Sequence, residues 1–108
     1  MDLPKLTPQA VSSWHLYPIC VRKKAPFRDK LLLKLHNSGI MANVHYTPLP
    51  KLKFYNSPQN KYSKRIINRC KQAVEYSHKT ISLPIYPNLK KEHQNQVSNL
   101  IKNYIQNN

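Results

Sequence analysis

Acid and glycine are what this chain has least of. Its 108 residues include four carboxylates, Asp2, Asp29, Glu75 and Glu92, and a single glycine, Gly39. One glycine cannot make a glycine-rich phosphate cradle, and carboxylates this scattered offer no adjacent pair for acid and base work. Signatures of a nucleophile elbow or a zinc protease are missing as well. Cysteine is scarce too. Cys20 and Cys70 have no second cysteine or histidine at metal-ligand spacing, which excludes a zinc knuckle or a redox pair by sequence. Buried free thiols are the expectation, with one disulfide between them as the alternative. Finally, no apolar run approaches membrane-spanning length, and Met1 to Lys5 lacks the apolar segment of a signal peptide. These absences lead us to expect a soluble, cytoplasmic chain with no membrane partner.

Positive charge is what is there instead. Eighteen lysines and arginines give a net charge of +14, beside nine prolines. Such a balance favours polyanionic neighbours: nucleic acid, an acidic membrane surface or a phosphate-bearing ligand. It speaks to partners and solubility and not to fold. Lysine, asparagine and isoleucine are abundant together, as an AT-rich genome writes into any protein. The length has room for one core, burying about two thirds of the unfolded surface.

The chain is organised around Gly39 to Pro48. Gly39 can take the positive φ that ends a helix, Ile40 to Tyr46 alternate as a strand does, and Pro48 and Pro50 forbid continuation. Before this stretch, Met1 to Ser12 reads as an extended lead-in and Ser13 to Val21 as a first strand, with Pro18 requiring an edge or a bulge. Arg22, Lys23 and Lys24 form a charged turn. Pro26 suits the start of a helix in which Phe27, Leu31, Leu32 and Leu35 share one face. Beyond it, residues 47 to 62 read as a long loop and Ser63 to Ser77 as helix in one or two pieces. Thr80 to Leu83 is a short strand closed by Pro84, and Asn88 can cap a last helix whose stripe is Val97, Leu100, Ile101, Tyr104 and Ile105. The sum is an α+β fold, a small sheet covered on one side by helices.

His45 and Tyr46 fall at a strand end before a proline-stiffened turn. Together they offer donors, an acceptor and an aromatic face to something outside the sheet. The plain alternative is a half-buried strand end meeting solvent. His36 and His93 fall on helices in solvated or capping positions, His78 near a helix end fits the dipole, and His15 lies on the first strand. Lys61, Lys64, Arg65, Arg69 and Lys71 crowd the third helical region near Tyr55 and Tyr62, and basic groups interleaved with tyrosines suit a phosphodiester backbone with stacked bases. A solvated helix face explains the same run.

Four blocks occur in order: Ser12 to Pro18, Gly39-Ile40 leading to Val44-His45-Tyr46-Thr47-Pro48, Ala73 to Tyr76, and Ile81 to Leu89. Together they resemble the C-terminal domain of the DegT/DnrJ/StrS aminotransferases, most nearly the branch that aminates a UDP-linked 4-keto sugar on the way to pseudaminic acid. The resemblance implies a pyridoxal-phosphate enzyme of aspartate-aminotransferase fold (fold type I), homodimeric when intact, that moves an amino group from glutamate to a nucleotide-linked keto sugar. It implies that residues 1–12 lead in from a missing large domain and that 13–108 form the small domain. The family's large domain supplies the cofactor lysine, the acid facing the pyridine nitrogen and the phosphate-binding residues. No catalytic or cofactor residue is therefore nominated here, and pyridoxal phosphate is not expected to bind this chain alone. Carried over are His45, Tyr46, Thr47 and Pro48, which match a family block at the cleft that contacts the nucleotide-sugar. The block from Leu83 to Pro87 is expected to shape the domain.

The chain also departs from that pattern. It has Lys71-Gln72 where the family opens its third helix with proline and acid, and Lys90 where threonine or serine caps the last helix. Lysines in a first turn oppose the helix dipole, by about a few tenths of a kcal/mol each. The expectation is a fragment inactive alone, closing the substrate side of a cleft, with a separately encoded large domain as its potential partner. The alternative is a basic binding module for nucleic acid or another polyanion.

Overall fold

Ile19 and Ile81 face one another across the only ladder among the described residues, and the rest of the fold gathers on that pair. The computed structural model describes residues 1–23 and 25–108, and the side chains of all of these except Ala25, Ser63 and Lys64. Lys24 of the expected charged turn, and the Lys64 side chain of the basic cluster, lie outside the described residues. Strand β1, Tyr17–Cys20, pairs antiparallel with β2, Thr80–Leu83. Single bridges extend the sheet on both sides, Asp2 against Cys20 and Asn43 against Ser82. The order across the layer is therefore residue 2, β1, β2, residue 43, all antiparallel.

Ile19, Val21 and Ile81 point to the same face because side chains alternate along a strand. There they meet Leu31 and Leu35 of helix α1, Ala25–Asn37, and Val97 and Ile101 of helix α4, Lys91–Gln106. Ile19, Leu31, Leu35 and Ile81 are fully buried. Both helices place these residues four apart, one turn above the other on one stripe. Phe27 and Tyr104 stack at the rim with ring centres 5.3 Å apart. The opposite face of the sheet carries Thr80 and Ser82, also buried, and Thr80 Oγ1 donates to the Tyr76 carbonyl at 2.7 Å.

Pro18 is tolerated for a reason the ladder supplies. Its partner Ser82 spends its N–H and C=O on Asn43, at 2.7 and 3.0 Å, so this pair exchanges no bonds within the β1–β2 ladder. The N–H that proline lacks would point to the outer edge. The edge position expected for Pro18 is thus what the chain adopts.

The first strand is shorter than its sequence suggests. Trp14 has φ +49°, in the left-handed region, and its N–H bonds to Ser12 Oγ at 3.1 Å. That geometry breaks the extended run before Tyr17, so Ser13 to Leu16 and His15 lie outside the strand. The expected second strand, Ile40 to Tyr46, is reduced to one bridging residue. Ala42 N–H bonds to the Ile40 carbonyl at 2.9 Å, the Ala42 carbonyl accepts from His36 Nε2 at 2.6 Å, and Val44 N–H is taken by Asn43 Oδ1 at 2.7 Å. With these groups committed locally, only Asn43 can join the sheet. The alternation was still a true guide to burial, since Ile40 and Ala42 are buried and Met41 and Asn43 exposed.

Gly39 ends α1 at φ +74°, as its position predicts. The later helical region is two pieces, α2, Ser63–Arg69, and α3, Lys71–Ser77, separated at Cys70 with φ −104° and ψ 20°. Helix α4 is capped by Lys90 and not by Asn88, and no side chain bonds its first turn from the cap. Glu92 in that turn faces the dipole favourably. Both cysteines are free thiols, half-buried and not fully buried as expected. Among the described residues no helix is long and apolar enough to cross a membrane.

Candidate functional site

The stretch from His45 to Pro48 leaves the sheet where Asn43 holds Ser82, and it is anchored again a few residues later. Pro48 accepts from Lys51 N–H at 2.8 Å, closing a single 3₁₀ turn, Leu49–Lys51, over the buried Pro50. Lys51 Nζ then donates to His78 Nε2 at 2.7 Å, tying this turn to the end of α3. His78 thus serves as an anchor point for the turn. Between its two anchors the stretch presents its side chains outward. Tyr46 is 67% exposed, Thr47 is exposed, and Pro48 is half-buried. The His45 and Tyr46 rings lie 4.8 Å apart at 55°, and the peptide bond joining them is cis.

His45 carries the most informative atom of the chain. Its Nδ1 is enclosed and has no hydrogen-bond partner among the described residues. An enclosed, unsatisfied polar atom costs about 1–3 kcal/mol. The other two such atoms have evident settings. Arg28 Nε lies 2.7 Å from Asp29 Oδ1 at an angle that makes an ion pair and no hydrogen bond, and Ser82 Oγ sits beneath the sheet. His45 Nδ1 instead belongs to a half-exposed ring beside an exposed tyrosine.

Three hollows formed by the described residues do not include the stretch. Two grooves of about 280 and 330 Å³ flank Pro84, between the end of β2 and α4, and share Leu89 and Val97. The block from Leu83 to Pro87 thus lines grooves beside the core. A third hollow, about 790 Å³, lies in the loop and is lined by Lys53, Phe54, Tyr55, Tyr62 and Ile66 among others. Pairs of lysines and aromatics in the sequence signal this hollow. The linkages of His36 to Ala42 and of Lys51 to His78 carry no signal there, because each joins residues by tertiary placement.

Three of the four carboxylates are paired. Arg22 makes a two-pronged contact with Asp2, which holds the Asp2 carboxyl below its usual range and raises Arg22; both are exposed. Lys79 hydrogen-bonds to Glu75, lowering the Glu75 carboxyl and raising Lys79. Among the described residues no three metal-ligating side chains gather.

Pyridoxal phosphate chemistry needs an amine, a carboxylate for the pyridine nitrogen and phosphate donors converging on one cleft. The described lysines are exposed except half-buried Lys79, which is engaged with Glu75. Asp2 and Asp29 pair with arginines, and Glu92 faces solvent on α4. These groups point to separate places, so the described residues do not by themselves fit the cofactor, and no reaction step is derived through it.

Comparison with known proteins gives the lineage. The chain is 36% identical over 110 residues to the UDP-4-amino-4,6-dideoxy-N-acetyl-beta-L-altrosamine transaminase of Helicobacter pylori (strain ATCC 700392 / 26695). That alignment covers 95% of this chain and 28% of the relative, so the chain spans a little over a quarter of its length. Residues 2–102 match the DegT/DnrJ/EryC1/StrS aminotransferase family, whose members use pyridoxal phosphate, and with nearly the whole sequence inside that match the chain belongs to this family.

Proposed function

We propose that this chain is the small, C-terminal domain of a fold type I nucleotide-sugar aminotransferase and closes the substrate side of its cleft. In this reading residues 1–12 lead in from a large domain, and residues 13–108 form the closing unit. The substrate is a UDP-linked 4-keto sugar, the amino donor is glutamate, and the assembled enzyme works as a cytoplasmic homodimer. The large domain supplies the cofactor lysine and the phosphate site. The chain is inactive alone and acts with that domain, whether joined to it or encoded separately.

The observation that carries the reading is the exposed pair Tyr46 and Thr47 on a turn anchored at both ends, in a chain that matches the family over residues 2–102. A polar substrate seated against His45, Tyr46, Thr47 and Pro48 would cover the tyrosine face and bond the exposed Thr47 hydroxyl. Pro48, Pro50 and the Lys51–His78 link hold the turn in place before ligand arrives, which limits the ordering cost of binding. These residues bind and orient, and move no proton in the scheme.

The test is glutamate-dependent amination of a UDP-linked 4-keto sugar. The purified chain alone is expected to give none, and co-expression with a large domain carrying the cofactor lysine is expected to give activity. His45→Ala in that pair should raise KM more than it lowers kcat. Robust turnover by the isolated chain would overturn the proposal, as would an unchanged KM in the variant.

A further inference from the structure

We propose that the loop hollow at residues 53–66 is a binding site for single-stranded nucleic acid, in which Phe54 and Tyr62 stack bases and Lys53 and Lys61 take the adjoining phosphates. The site is separate from His45 to Pro48.

Phe54 is 74% exposed and Tyr62 52% exposed, yet neither is loose. One side chain holds both backbones: Asn60 Nδ2 donates to the Phe54 carbonyl at 3.0 Å, and Asn60 Oδ1 accepts from Tyr62 N–H at 2.9 Å. Tyr55 braces Phe54 edge-on, with ring centres 5.2 Å apart at 89°. Exposed rings fixed in this way are stacking platforms, and stacking on a ring face is open to every base. The volume of about 790 Å³ lies in the range of ligand sites.

Charge selects the ligand. Lys61 Nζ lies over one face of Tyr62, 5.0 Å from the ring centre, so a base on that ring would have the cation within reach of its phosphate. Between Asp29 and Glu75 the sequence has nine lysines and arginines and no carboxylate. Arg65 and Arg69 on α2 are exposed and continue the positive field beyond the hollow. A mononucleotide would meet only the lysines at the rim. A strand of several phosphates matches a field of this length, and a duplex would keep its bases from the rings.

The experiment is fluorescence anisotropy of a labelled oligouridylate with the full chain over rising potassium chloride, against inorganic polyphosphate as a competitor without bases. The logarithm of affinity should fall linearly with the logarithm of salt, by about 0.7 per phosphate engaged. Phe54→Ala should weaken binding about tenfold, Phe54→Leu by as much, and the double change with Tyr62→Ala about a hundredfold. Phe54→Trp should retain binding. Lys53→Gln with Lys61→Gln should reduce the salt slope by about 1.4. Asn60→Ala, a positioning change, should weaken binding with the slope intact. The proposal fails if oligouridylate does not bind at low salt, or if polyphosphate competes equally and the aromatic variants bind as the parent does.

Discussion

Residues 17–42 and 79–106 bury side chains against one another, whereas residues 43–78 bury little and are tied together, and to the sheet, by single hydrogen bonds. In the first region lie Ile19, Val21, Leu31, Leu35, Ile40, Ala42, Ile81, Val97 and Ile101, the buried apolar core of the described residues. In the second, Pro50 is the buried residue among those described, and Leu49, Phe54, Tyr62 and Ile67 are exposed. The shape records the contrast. The radius of gyration is 16.3 Å, with extents of 51, 36 and 21 Å, against about 13 Å for a compact chain of this length. One region makes the fold and the other carries surface for partners. Function-bearing segments come from the weakly packed end of a structure because they must meet something outside it.

Truncating the packed region should give the largest effect. Leu31→Ala, fully buried between sheet and helices, is expected to cost about 2–5 kcal/mol, read from the midpoint of urea unfolding. A loss near zero would erase the contrast. Gly39→Ala probes the junction between the regions. Nothing lies within 4 Å of an added Cβ, so its cost is the backbone alone, about 1–2 kcal/mol for φ +74°. Phe54→Ala in the second region should change stability by less than about 0.5 kcal/mol, because its ring covers no core. A larger loss would show that the loop supports the fold.

The smallest effect separates two ion pairs, one at the outer edge of the sheet and one across the boundary between the regions. Asp2 is lowered chiefly by its hydrogen bond to Arg22, and Glu75 by its hydrogen bond to Lys79. A carboxyl depressed in the folded state contributes stability that is present above its unfolded pKa and lost as pH falls through the folded one. Both pairs are exposed, so each contribution is slight and screened by salt. Asp2→Asn should flatten the acid limb of the stability profile, because Asp2 joins the sheet through Cys20. Glu75→Gln should flatten it less, since α3 has no fully buried residue.

What could be read in the sequence follows the same division. Helix α1 and the stripe of α4 were legible because apolar spacing and Gly39 act within one element. β2 was legible from its short run before Pro84. The segment from Ile40 to Tyr46 misled because alternation reports burial, and a strand also needs a neighbour to bond; Ala42 spends its groups on Ile40 and His36 instead. Trp14 misled because a left-handed φ at a large residue leaves no mark in composition. His45 and Tyr46 were legible as residue types. The solitude of His45 Nδ1 was not, since it depends on everything packed around it.

Pro18 on the outer side of β1 has a consequence for how this chain survives at high concentration. A two-stranded ladder with exposed tyrosine and leucine nearby is a template onto which a second molecule can add a strand. At the outer edge Asp2 occupies the groups of Cys20, and Pro18 offers no donor next to it. A foreign strand arriving there would find its register interrupted, so the proline tolerated at this edge also keeps the sheet from growing into a fibre.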